Sequence, residues 1–345
     1  ACNALICLGA IMSYFNAIGA LGADALQDLR HDGGIYVLFA TYPGFMVWTV
    51  VLFAAPFCYY REYGELEVAS CSALVLAVVT CLSLIIAAAV NPHAIPATPA
   101  SGVASVGVLG NVLYAAVMQY AVFEMYAGLQ DRDTTKGRGV VAHSVLGAGA
   151  ILLVAGLAGC AATSDEVDAN VLTSLNNALT TIKILYACVV MHLCFYIPND
   201  FILGRLYAFR VADLNYLQVS DSVHYAASSL FLVAPLALMA AIPRELVDGV
   251  FELILALTGE VPIALSCFVI PCLAYRSAVL ERTPASTPLL GGGAVSEKPV
   301  SAAATTATLV FAVVVLVVCP VCTIYQFVDD CVTDGCASYT GRRIR

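Results

Sequence analysis

Nine apolar runs, each about as long as a bilayer is thick, leave this chain little choice of solvent. They lie at 1–23, 34–58, 68–90, 103–129, 140–162, 174–198, 222–242, 246–275 and 302–327. At about 1.5 Å per residue, roughly 20 residues of helix cross the roughly 30 Å hydrocarbon layer. Lipid offers no hydrogen bonds, so each crossing segment must satisfy its own backbone, which an α-helix does. The chain is 61% hydrophobic and 11% charged. Soluble domains carry about 45–50% apolar and about 25% charged residues, and a water-facing surface cannot be made from so few charges. The expected fold is all-α, a polytopic membrane protein with about nine transmembrane helices in a single domain over 1–345. Its partner is the lipid bilayer. A net charge of −9 argues against nucleic acid, which needs a basic face.

The connections are short and rich in helix breakers, as in "NPHAIPATPASG" and "DRDTTKGRG". The stretch 276–301 is longer, and its Pro, Gly and Ser content reads as a flexible cytosolic linker. Alternate loops differ in basic residues. One set holds Arg61, Arg132, Lys136, Arg138, Arg205, Arg210, Arg276, Arg282 and Lys298; the other holds Arg30, Arg244 and the arginines of the C-terminal tip. Basic residues stay on the cytosolic side, so the first run leads outward and the C-terminus lies outside or in a lumen. The chain begins at Ala1 within an apolar run, without a basic start or a cleavage site, which reads as a truncated N-terminus. Most cysteines sit inside apolar runs as small hydrophobes. Cys319 and Cys322 form a lone CxxC that reads as packing, with no metal implied. Cys331 and Cys336 follow the last run, either as a disulfide or as two thiols.

The fourth run continues as "NVLYAAVMQYAVFEMYAGLQDRD", with Gln119 and Glu124 among apolar neighbours. "VLYAAVMQYAVFEMYAGLQDRD" resembles the sixth span of the amino acid/auxin permease family. Three further stretches agree in order and spacing: "FAAPFCYYREYGELEVASCSALVL", "IKILYACVVMHLCFYIPNDFILGRL" and "LTGEVPIALSCFVIPCLAYR" are similar to the fourth-to-fifth, eighth and tenth spans. The resemblance covers residues 1 to about 327. It implies an inverted-repeat (5+5) transporter fold, here lacking its first two helices.

That fold interrupts the first span of each repeat near mid-membrane, where exposed N–H and C=O groups meet a zwitterion. The resemblance therefore implies a break between Leu113 and Gln119. It places an amino acid substrate against Tyr114, Ala115, Val117 and Gln119, with Tyr14 and Asn16 facing it across the bundle. Gln119 stands where most of the family has His; a helix–helix hydrogen bond is the competing role. Glu124 reads either as an interfacial carboxylate paired with Arg132 or as a gating or proton-relay group. His192 reads as a structural hydrogen-bonding group or a proton carrier. Lys183 reads as snorkelling to the interface. Cys194 and Tyr196 precede Pro198 where some relatives place hydroxyl ligands for sodium, and they are poor ligands for a hard cation. The function expected is amino acid symport or facilitated transport, with no cofactor beyond a coupling proton. The membrane is that of the cell surface, the vacuole or the lysosome. The alternatives are a membrane-embedded enzyme and a receptor or structural bundle. No HExxH, GxSxG or His–Asp cluster supports the enzyme.

Overall fold

A computed structural model describes residues 1–27, 36–90, 103–116, 121, 122, 124, 126, 133–163, 171, 172, 175, 180–216, 218–281 and 302–333. Among them every regular element is helical. In order these are α1 (Cys2–Ala25), α2 (Tyr36–Phe39), α3 (Tyr42–Thr49), a π-helical turn π1 (Val50–Ala54), α4 (Ala55–Cys58), α5 (Glu67–Val90, led in by a tight turn Tyr63–Leu66), α6 (Val103–Ala116), α7 (Thr134–Ala162), α8 (Thr180–Val211), α9 (Asp221–Ala240), α10 (Val247–Thr258), the π-helical segment π2 (Gly259–Val269), α11 (Ile270–Glu281) and α12 (Ala302–Thr333).

Seven helices are long and apolar enough to cross a membrane, and Tyr42–Cys58 is a shorter apolar one. The run 34–58 is thus two pieces. Thr41 caps the second, its hydroxyl accepting from the Gly44 N–H at 3.3 Å, with Pro43 in the first turn. The described part of the fourth run, α6, stays regular helix through Leu113–Ala116. Of the break expected between Leu113 and Gln119, residues 113–116 are unbroken helix, while Val117 and Gln119 lie outside the described residues. Most of the 276–301 linker and the Cys331–Cys336 pairing also lie outside them, although α11 continues as helix to Glu281 and carries Arg276 with it.

Two prolines explain where the backbone widens. Pro56 has no N–H to return to the preceding turn, and π1 sits just before it, with Ala55 N–H reaching Val50 O. Pro262 lies inside π2, and Pro271 follows it. Pro198 behaves differently. The sixth run was expected to end there, but α8 continues to Val211. The lost hydrogen bond is local, and the Asn199 amide donates back to the carbonyls of Phe195 and Tyr196 at 3.5 and 3.3 Å. The correction moves Asp200 and Arg205 from a loop into a membrane helix.

α1 and α8 form the centre of the bundle. Of the seven span-length helices they are the two most buried. They run antiparallel, with Cys7 against Gly204 near one end and Tyr14 against Tyr196 and Asp200 further along. α3 and α10 pack on α1, and α9 packs on both; α5 covers the outer side of α8 and α7 packs on α5; α6, π2 and α12 form a second group reaching α1 through π2. Gly19 and Gly22 admit Tyr42 and Phe45 of α3, where a Cβ would collide with either ring. Gly147, Gly149 and Gly156 face open space and join no helix seam.

Arg205 shows how this interior holds a charge. It is 1% exposed. Its Nη1 donates to Cys58 O at 2.8 Å and Ser228 Oγ at 2.6 Å; its Nη2 donates to Tyr60 O and, at 3.1 Å, to the Tyr216 hydroxyl. The guanidinium also lies 5.7 Å from the Phe201 ring centroid and 5.6 Å from that of Tyr216. It therefore caps the unpaired carbonyls at the end of α4, where the helix dipole is negative. Arg61, by contrast, pairs with a largely exposed Asp221. Replacing Arg205 with Ala should lower unfolding stability in detergent by about 3 kcal/mol, since several charged hydrogen bonds go at once. Arg61→Ala should cost less than about 1 kcal/mol. Equal costs in a thermal or chemical unfolding series would contradict this assignment.

Candidate functional site

One group of polar side chains that reaches the core lies where α1, α6 and α8 meet. Asp200, two residues past Pro198, is 2% exposed. The Tyr14 hydroxyl donates to its Oδ2 at 3.1 Å, and the Tyr114 hydroxyl reaches that of Tyr14 at 3.5 Å. The Tyr196 ring meets Tyr14 edge-on, with centroids 5.7 Å apart, and stacks on the His192 ring at 5.8 Å. Residues 192, 196 and 200 are one turn apart, so α8 presents imidazole, phenol and carboxylate as one stripe. Tyr196 keeps 37% of its surface open, and Tyr14 and Tyr114 are half-buried. The cluster therefore has an open side, with the carboxylate behind the phenols.

The neighbouring polar residues are tied to backbone or to α5. His192 Nδ1 lies 2.7 Å from Ala73 O. The Ser70 hydroxyl donates to Asn199 Oδ1 at 2.8 Å. These bonds lock α5 onto α8 and fix the rotation of the stripe, because α8 cannot turn without breaking them.

Of the expected site residues, the structure brings Tyr14 and Tyr114 together, with His192 at the edge of the same cluster. Ala115 is exposed beside it on α6. Asn16 is elsewhere: it is 1% exposed, and its Nδ2 donates to Val247 O at 2.9 Å, tying α1 to the start of α10. Glu124 pairs with Arg210 at 2.5 Å, and Arg132 lies outside the described residues. Arg210 also covers the Tyr207 ring, 5.8 Å from its centroid. Among the described residues no set of three or more His, Cys, Asp or Glu is grouped as a metal site would be. An open groove along α12, lined by Ala303, Thr306, Ala307, Val310 and Phe311, carries no ionisable side chain.

Asp200 was not singled out from sequence. The signal was present: "YIPNDFILG" returns to apolar residues after the acid. An ionisable group flanked by apolar sequence on both sides marks a membrane-embedded function more often than a loop. Ending the span at proline concealed it.

No protein-family profile, curated protein or solved structure matches the chain. What the cluster can do therefore rests on its chemistry. A carboxylate suits an ammonium or other cation, and phenolic O–H groups suit an anionic oxygen. Tyr14→Phe removes the donor to Asp200 and should lower stability by about 1–3 kcal/mol. Tyr114→Phe, whose hydroxyl sits at the long limit of a hydrogen bond, should cost under about 1 kcal/mol. Unfolding midpoints of the two variants in detergent check the order, and a larger loss for Tyr114→Phe would reverse the assignment.

Proposed function

We propose that this chain is a secondary transporter of amino acids, working by alternating access, proton-coupled or facilitative, with the Asp200 cluster as part of its substrate site. The observation that carries the reading is the buried Asp200 carboxylate screened by Tyr14, Tyr114 and Tyr196. A carboxylate costs several kcal/mol to hold inside a membrane protein, so such groups persist where a pathway or ligand uses them. A free amino acid brings an ammonium for Asp200 and a carboxylate for the phenols. The side chain is left to the open face beside Ala115.

We further propose that the helices form two inverted repeats of five, the first lacking its first two. The third member of each repeat would then be α1 and α8. In such a fold these two are related by the pseudo-twofold and run in opposite directions. Their antiparallel contact and deep burial support this correspondence. The resemblance in α6, α8 and π2 supports it independently, and a membrane of the cell surface, vacuole or lysosome suits the same reading.

Purified full-length chain in proteoliposomes should accumulate a radiolabelled neutral amino acid, and unlabelled free amino acids should compete. N-acetyl and amide derivatives, each lacking one of the two charges, should not. The absence of uptake across a panel of amino acids, or equal competition by the derivatives, would refute the reading.

A further inference from the structure

A second carboxylate lies inside the bundle, away from Asp200 and without a role in the site above. Glu260 is the second residue of π2 and is 0% exposed. The Thr323 hydroxyl of α12 donates to its Oε1 at 2.7 Å. Its Oε2 is buried and has no hydrogen-bond partner among the described residues. The backbones on the α6 side approach closely. A Cβ on Gly110 of α6 would stand 2.6 Å from both Glu260 Cγ and Ala256 O, and one on Gly259 would overlap the Gly110 carbonyl. On the α12 side, Val315 and Cys319 pack with Ala264, Leu109 and Leu113 into a closed apolar cluster.

The titratable groups on the elements packed around Glu260 are Cys319, Cys322, Tyr325, Asp329, Asp330 and Cys331 of α12, Tyr114 of α6, Cys2, Cys7, Tyr14 and Asp24 of α1, Asp248 and Glu252 of α10 and Cys267 of π2. All of these are neutral or anionic. Arg276 of α11 lies about 24 Å further along the helix axis at ~1.5 Å per residue. No ion pair reaches Glu260 among the described residues.

We propose that Glu260 is an intramembrane proton-binding site and, building on the transporter reading above, the group that carries the coupling proton. With the proton on, the carboxyl is neutral and the seam between α6, π2 and α12 stays dry. The step is one O–H bond: a proton from water on one side of the membrane binds Oε2, and later leaves to water on the other. With the proton off, a carboxylate holding a single hydroxyl donor stands in an apolar seam. The attraction of one donor does not offset the desolvation of the ion. Opening the seam to water, with α12 moving off π2, relieves it. π2 is suited to such a movement, because its backbone bonds already span five residues and prolines remove donors within it and after it. A metal cation is a poorer occupant, since it would require six or more oxygens and Glu260 offers one free one.

The test uses the full chain in lipid, with two readouts. Infrared difference spectra should show a carboxylic C=O band at neutral pH that is sensitive to deuterium and absent from Glu260→Gln. In Thr323→Val the band should persist at higher frequency, because the donor to Oε1 is gone. In proteoliposomes, Glu260→Gln should keep exchange of labelled for unlabelled amino acid and lose accumulation driven by a pH gradient. A spectrum unchanged by Glu260→Gln, or gradient-driven accumulation retained in that variant, overturns the proposal. If the band behaves as expected but the wild-type chain exchanges no amino acid, the transport reading fails and the proton site stands.

Discussion

The constraint on which this bundle turns is that α8 carries two ionisable side chains, Asp200 and Arg205, out of reach of water. Asp200 and Arg205 are just over one turn apart on that helix, both almost fully buried. An uncompensated charge there would cost several kcal/mol, a large part of the stability of a typical folded domain. The two are handled differently. Arg205 directs its Nη groups onto the end of α4, Ser228 and Tyr216, and so ties the end of α4 to α8 and α9. Asp200 accepts a hydroxyl bond from Tyr14 and sits behind phenols.

The same contrast runs through the backbone. α1 and α8 are continuous rods, and the one proline in α8 does not divide it. Among the described residues the π-helical backbone lies in elements that pack on them: π1 before Pro56, and π2 around Pro262. Rigid central helices with yielding ones around them are what a hinge or rocking motion needs, because movement then concentrates at the widened turns. Under the proposed function, α1 and α8 would serve as the frame, and the group formed by α6, π2 and α12 as the part that moves.

Much of this was legible in the sequence. Run length and the scarcity of charge are physical limits, so the helices follow from them. Tyr14 and Tyr114, both expected at the site, stand together in the structure with their hydroxyls 3.5 Å apart. Reading failed where a local rule met a tertiary override. Proline usually ends a helix, yet α8 continues past Pro198 because Asn199 bonds the preceding turn and α1 and α5 hold both flanks. That one boundary hid Asp200 and made Arg205 look like a loop cation. Asn16 was placed on the right helix, but periodicity alone does not say that its amide would be taken by the Val247 carbonyl. Glu124 found Arg210 rather than a residue close in sequence, a pairing set by how α8 lies against the end of the fourth run.

The central claim is that the Asp200 cluster receives a charged solute, and equilibrium binding tests it most directly. Binding of a radiolabelled neutral amino acid should be measured on detergent-solubilised full-length chain, alongside Asp200→Asn. The account predicts saturable binding to the native protein and at least about a tenfold weaker affinity in the variant, equivalent to ~1.4 kcal/mol for the lost charge. Saturable binding that is unchanged by Asp200→Asn would contradict it.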